Sequence, residues 1–224
     1  MASRKIILAT GEIYHIFNRS VSKEPIFTNT RGNRRFLDTI NFYRFQDPYV
    51  RYSHFIRMQD EFRSKILENM YTTGIQNVTI FAFSLMPNHF HLLIRQEQES
   101  GIKKFMSQIQ NSYAKYYNTK NDRSGSVFQE MFKAVRIETD EQFIHVARYV
   151  HLNPVTGYLL KDPTELETYP WTSFGSYVGN LTSEFIDTNT ILSHFKNTQE
   201  LKQFTFDQAN YQRKLDNIKH LTLE

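Results

Sequence analysis

The chain contains no cysteine, and its 224 residues include only one tryptophan, six prolines and eight glycines. Without a thiol there is no disulfide framework, no thiolate nucleophile and no Cys-ligated zinc or iron–sulfur centre, so any metal would fall to His, Asp, Glu, Asn or Gln. So little glycine and proline excludes collagen-like and low-complexity chains. Long apolar runs are also missing. The best, Val78 to Met86, falls far short of the roughly 20 residues of a membrane span, and the stretch after Lys5 is too short for a signal peptide. These features predict a cytoplasmic protein with no membrane partner. Charge of one sign is lacking too, since 27 Lys and Arg against 23 Asp and Glu leave a formal +4. What is present is a 40% apolar fraction, enough to fill the core of one large domain or a domain with an appendage.

The charge is unevenly placed. Residues 1–36 and 101–136 each carry seven basic and two acidic side chains, whereas 137–179 carry two basic and six acidic ones. If the fold brings the two basic segments together, one face could hold a polyanion while the rest stays near neutral. A solvated surface would give the same counts.

Periodicity orders the elements. Ile13 to Phe17 reads as a strand after the Thr10-Gly11 turn, and Phe36, Leu37, Ile40 and Tyr43 recur at helical spacing. Residues 47–76 follow no clear period. Val78 to Ser84 and His89 to Arg95 read as paired strands around Met86-Pro87-Asn88. Ile102, Phe105, Met106, Ile109, Tyr113, Tyr116 and Tyr117 then define a helix to about Asn118. Phe132 to Ile137 reads as a strand. Thr139-Asp140 with Gln142 caps a helix that Pro154 is expected to stop near Asn153. This order predicts an α+β fold, a ferredoxin-like antiparallel sheet with helices on one face. Tyr169 to Gly175 reads as a packed aromatic turn. The expected division is a domain at 1–179 and a C-terminal helical extension at 180–224.

Two constellations carry chemistry. In a strand His89-Phe90-His91 places both imidazoles on one side, roughly 7 Å apart at the backbone, close enough to share a cation, with Phe90 on the other. Two ligands do not complete a site, and a pair of surface histidines has the same pattern. On the later helix Tyr149 and Asn153 are four residues apart and share a face with His145, so a tyrosine nucleophile could sit beside a neutral oxygen ligand. Most of the 13 tyrosines must serve packing, and Asn before Pro is an ordinary helix terminator.

The blocks Leu85-Met-Pro-Asn-His-Phe-His-Leu-Leu-Ile94, Ser112-Tyr-Ala-Lys-Tyr-Tyr-Asn118, Val127-Phe-Gln129 with Phe132-Lys133, and Arg148-Tyr-Val-His-Leu-Asn-Pro-Val155 fall in one order. Together with Tyr14-His-Ile-Phe-Asn-Arg19 and Trp171-Thr-Ser-Phe174 they resemble the single-tyrosine HUH transposases over about residues 11–179, with the REP-associated tyrosine transposases as the nearest branch. The resemblance implies a ferredoxin-like domain that nicks and rejoins single-stranded DNA through a 5′-phosphotyrosine, at hairpin-containing DNA. It implies His89 and His91 as ligands of Mg²⁺ or Mn²⁺, Tyr149 as nucleophile, and Asn153 at the third ligand position, where related transposases can use Gln. Tyr113, Tyr116 and Tyr117 are rival hydroxyls. Arg19, Arg34, Arg35, Lys103, Lys104, Lys115 and Arg123 are the expected phosphate contacts. Relatives include both monomers and homodimers. A hairpin-binding protein that has lost cleavage is the alternative function, and a water-activating metallohydrolase would need further acidic ligands near His89.

Overall fold

A computed structural model describes residues 6–46 and 48–209; residues 210–224, part of the expected C-terminal extension, lie outside it. Four strands form one sheet: β1 (Ile13–Arg19), β2 (Val78–Met86), β3 (His89–Gln96) and β4 (Lys133–Ile137). Among the described residues eight α-helices accompany them: α1 (Thr30–Tyr43), α2 (Tyr52–Phe55), α3 (Asp60–Thr73), α4 (Gly101–Lys120), α5 (Asp140–Thr156), α6 (Phe174–Tyr177), α7 (Asn189–Leu192) and α8 (Thr198–Phe206). The strand order β2-β3-β1-β4, antiparallel throughout, is the ferredoxin-like arrangement. The unperiodic segment 47–76 supplies the short α2 and the α3 helix, whose polar composition hides its period; Met70 is its buried residue.

Alternation decides what each face of the sheet meets. Tyr14, Ile16, Phe90, Leu92 and Ile94 turn to one side, where α1 and α4 bury Phe36, Ile40, Phe105, Ile109 and Tyr113 against them. The rings of Phe27, Phe36, Phe90, Tyr113 and Phe128 pack mutually there, with centroids 4.8–6.5 Å apart. The expectation of helices on one face describes this layer, and a second layer covers the opposite face. Phe81, Ala82, Leu93 and Ile137 are apolar too, and α5 buries them with Phe143, Ala147 and Val150. A bulge in β2 between Ile80 and Ala82 lets Phe81 and Ala82 both serve this second core, and the Phe81 ring meets Phe143 edge-on at 5.0 Å.

The segment after 179 joins the same layer. Asp187 N–H donates to the Ile80 carbonyl, the Tyr177 hydroxyl donates to the Phe81 carbonyl, and Ile191 and Leu201 lie in the α5 core. The aromatic turn at 169–175 runs along the outer edge of β2. Leu85 N–H donates to the Trp171 carbonyl at 2.8 Å and Ser173 N–H to the Phe83 carbonyl at 3.1 Å, which occupies an otherwise open edge.

Helix α5 begins as its sequence predicts, with the Thr139 hydroxyl accepting from Gln142 N–H. Its end is different. Pro154 does not stop the helix near Asn153; the helix continues to Thr156 with the proline inside. Proline removes the N–H that would reach the Val150 carbonyl. The Asn153 side-chain amide compensates, donating to the Tyr149 carbonyl at 2.9 Å and to the Val150 carbonyl at 3.5 Å.

Candidate active site

The His-x-His pair sits at the start of β3, one residue after the Pro87-Asn88 turn. That turn is held in place: the Pro87 carbonyl accepts from Ile26 and Phe27 N–H, and the Asn88 side-chain amide donates to the Lys23 carbonyl. Asn88 Oδ1 lies 2.6 Å from His89 Nδ1, so that nitrogen carries its proton and the Nε2 lone pair is left for another partner. His91 is buried on the same side, its ring edge-on to His89 at 5.1 Å between centroids.

A third imidazole completes the group. β1 lies beside β3 in a register that pairs Phe17 with His91 and Arg19 with His89, so His15, Phe17 and Arg19 share the histidine side. His15 Nε2 and His91 Nδ1 are 2.9 Å apart in a buried hydrogen bond, and the rings stack at 5.1 Å. With the proton on His91 Nδ1, the His91 Nε2 lone pair is free, parallel to the arrangement at His89. Sequence reasoning missed His15. The alternation that places it on this side was available, but its neighbour across the sheet was not.

Burial keeps all three rings neutral. It pushes His15 down to about 4, and His89 to about 4 with a further contribution from Arg19. His91 lies well below the usual value, first through burial and then through His15, His89 and Arg19. A neutral imidazole is the form that ligates a metal.

Helix α5 crosses this side of the sheet and brings in Tyr149. Its half-buried ring stands edge-on to His91 and to His15, 5.7 Å from each by centroid. Asn153, one turn on, commits its amide nitrogen to its own helix, which directs that group away from any ligand role and leaves Oδ1 as the available donor atom. His145, one turn earlier, is not part of the group. It is exposed, its Nδ1 lies 2.6 Å from an Arg148 nitrogen, and its ring packs on Phe204 of α8. The rival tyrosines lie on α4, behind the opposite face of the sheet. Tyr113 is fully buried with its hydroxyl donating to the Ile26 carbonyl at 2.7 Å, and burial pushes its pKa up, further from neutrality.

Among the described residues no group of three or more His, Cys, Asp or Glu side chains is arranged to hold a metal ion. A cation at His89 and His91 would need a further donor, for which Asn153 Oδ1 is the candidate that the sequence offers. Two imidazoles with their second nitrogens already engaged and one neutral oxygen form a donor set compatible with a divalent cation.

The expected phosphate contacts do not gather on one face. Arg19 stands at the histidine group. Arg34, Arg35 and Lys115 line a groove beside α1 and α4, across the sheet. Lys103 and Lys104 are exposed in the first turn of α4, and Arg123 is 2.9 Å from Glu24 in an ion pair. Arg19 is apart from Arg34, Arg35 and Lys115 because its place on β1 turns it to the histidine face, whereas α1 and α4 cover the opposite face.

Comparison with known proteins agrees with this architecture. Residues 48–153 match the family model described as "Transposase IS200 like". A solved structure described as the REP-associated tyrosine transposase bound to a REP hairpin superposes with a TM-score of 0.53 at 12% identity, over 84% of this chain and 96% of that one. No curated protein matches the chain. In both sequence and fold, then, the chain resembles the IS200-like single-tyrosine transposases, including their REP-associated branch.

Proposed function

We propose that the chain is a DNA strand transferase that nicks single-stranded DNA next to a hairpin through a covalent bond to Tyr149. The observation that carries this reading is the Tyr149 ring set edge-on against His91 and His15, with His89 next to His91. The bound hairpin of the solved relative supports a hairpin as the DNA form.

The Tyr149 oxygen attacks the scissile phosphorus, the bond to the 3′-oxygen breaks, and the phenol's proton passes in net terms to the released 3′-hydroxyl. Phosphate stays joined to Tyr149, so the free 3′-hydroxyl can reverse the step without a nucleotide cofactor. Mg²⁺ or Mn²⁺ at His89, His91 and Asn153 Oδ1 would supply charge that stabilises the phenolate and polarises a phosphate oxygen. The protein does the positioning. Asn88 and His15 orient the two imidazoles, the α5 core holds Tyr149 edge-on to His91, and Arg19 sets a positive charge beside His89. Arg34, Arg35, Lys103, Lys104, Lys115 and Arg123 remain proposed phosphate contacts, of which Arg123 must first leave Glu24.

The test uses an end-labelled single-stranded hairpin oligonucleotide with Mn²⁺, read as an adduct that survives denaturing electrophoresis. Wild type and Tyr113→Phe should form it and Tyr149→Phe should not. An adduct that persists in Tyr149→Phe removes the nucleophile assignment, and hairpin binding with no adduct in wild type favours the cleavage-free alternative.

A further inference from the structure

A wide groove lies on the far side of the sheet from Tyr149. It has a volume of about 1300 Å³, above the roughly 300–1,000 Å³ usual for small-molecule pockets. α1 contributes Arg31, Arg34 and Arg35, the segment around α2 contributes Arg51 and Arg57, and α4 contributes Lys115 and Lys120. Asp38 is the acid among the lining residues. Seven cations against this single carboxylate, which interacts with Arg34 and Arg35, leave an excess of positive charge that selects a polyanion.

Charge alone does not say which polyanion, but the buried polar atoms narrow it. Arg35, Gln108 and Tyr116 line this groove, and the Nε of Arg35, the Oε1 of Gln108 and the hydroxyl of Tyr116 are buried without a hydrogen-bond partner in the protein, so a small side-chain rotation would be needed to present them to a ligand. Arg35 is 91% buried, with its guanidinium 4.2 Å over the Tyr52 ring and 5.5 Å from Tyr116. A phosphodiester offers only acceptors, which would satisfy Arg35. The Gln108 oxygen needs a donor, and a nucleobase supplies one from its amino or imino edge. In a duplex those edges are already paired, whereas in a single strand they are free. Tyr49, 73% exposed on the groove's rim, offers a ring on which such a base can stack.

We propose that the groove between α1, α4 and the α2 segment is a second DNA site that holds a few unpaired nucleotides, bases turned towards Gln108 and Tyr116 and phosphates towards the arginines. The proposal rests on the reading of the chain as a DNA-processing protein and adds a site that is separate from the cleavage centre. A strand engaged at both sites would pass around the edge of the sheet, so the groove would anchor DNA whose scissile phosphate lies at Tyr149.

The test is fluorescence anisotropy of the full chain in EDTA, which keeps cleavage out of the measurement. The probes are a labelled 12-nucleotide single strand, the blunt 12-base-pair duplex and a 12-unit abasic strand. The single strand should bind at least tenfold more tightly than either comparison. Arg51→Glu with Arg57→Glu should weaken single-strand binding tenfold or more and flatten its salt dependence. Tyr116→Phe with Gln108→Leu should bring the single strand down towards the abasic strand and leave the abasic affinity as it was. Wild-type affinity in the charge-reversed variant overturns the site, and equal binding of duplex and single strand overturns its occupant. Circular dichroism checks that each variant is folded. A chain that forms no adduct at Tyr149 can still pass, and one that forms it can still fail, so the two readings stand or fall separately.

Discussion

His15 is the residue whose part is least visible from the chain and most specific in the fold. It holds His91 Nδ1 at 2.9 Å and so fixes which nitrogen of His91 is available. Such outer partners typically change metal affinity or activity about 10–100-fold when removed. His15→Phe should therefore weaken Mn²⁺ binding by about tenfold or more, measured by titration calorimetry, and slow adduct formation by a similar factor. Unchanged Mn²⁺ affinity would make His15 a packing residue. His151 allows a cleaner reading of imidazole burial, since it takes no part in the cation group. Its Nε2 lies 2.9 Å from Ser173 Oγ, its Nδ1 is unpartnered, and burial lowers it to about 3. Unfolded, it would take up a proton near pH 6.5 while the folded chain does not, so stability falls as pH drops through this range. Each such group costs about 1.4 kcal/mol per pH unit. Urea unfolding at pH 7.0 and 5.0 should therefore show a loss in wild type that is smaller by about 2 kcal/mol in His151→Phe. An identical pH response in the two proteins would mean that His151 is protonated in the folded chain.

Helix α5 is the element on which the site depends. Its second core, Phe143, Ala147 and Val150 against Phe81, Ala82 and Leu93, sets its roll, and His151 ties it through Ser173 to the backbone of Phe83. Both termini are handled by side chains. Thr139→Ala should lower stability by about 1 kcal/mol through loss of the N-cap, with the adduct still formed. Asn153→Ala should cost about 1–2 kcal/mol because the Val150 carbonyl, which Pro154 leaves without a backbone N–H, loses the side-chain donor and the Tyr149 carbonyl loses its second one, and in this case the adduct should be lost as well. Thermal unfolding and the adduct assay separate the two variants, and an Asn153→Ala chain with wild-type cleavage would free Asn153 of any part beyond capping. The end of this helix is also where sequence rules were weakest. Pro154 reads locally as a stop, and only the Asn153 amide reaching back along the helix explains why it is not one.

For the whole molecule, the sheet acts as a partition. On one side it carries His15, His89, His91 and Arg19 under α5, and on the other a basic groove built on α1 and α4. The two basic segments of the chain meet in that groove, through Arg31, Arg34 and Arg35 of one and Lys115 and Lys120 of the other, while Arg19 lies across the sheet. Salt should affect binding through the groove more than chemistry at Tyr149, because the groove's cations face water while the imidazoles are neutral. Adduct yield at saturating DNA should accordingly change less than Kd between about 50 and 200 mM salt.

By itself the sequence determined the four strands and the helices α1, α4 and α5 in their order, while α2 and α3 carried no readable period. Alternation in His89-Phe90-His91, helical spacing from Ile102 to Tyr117 and the Thr139 cap are local properties, written in neighbouring residues and readable from them. Local spacing also put Tyr149 and Asn153 on one helix face. The tertiary structure decided which faces meet. That His15 lies against His91 follows from β1 inserting beside β3, that His145 turns to Phe204 follows from α8 docking on α5, and that Arg34 and Arg19 are separated follows from the sheet between them. These pairings span tens of residues and are fixed by burial of both apolar faces of one sheet, a requirement of the whole chain that no local window contains.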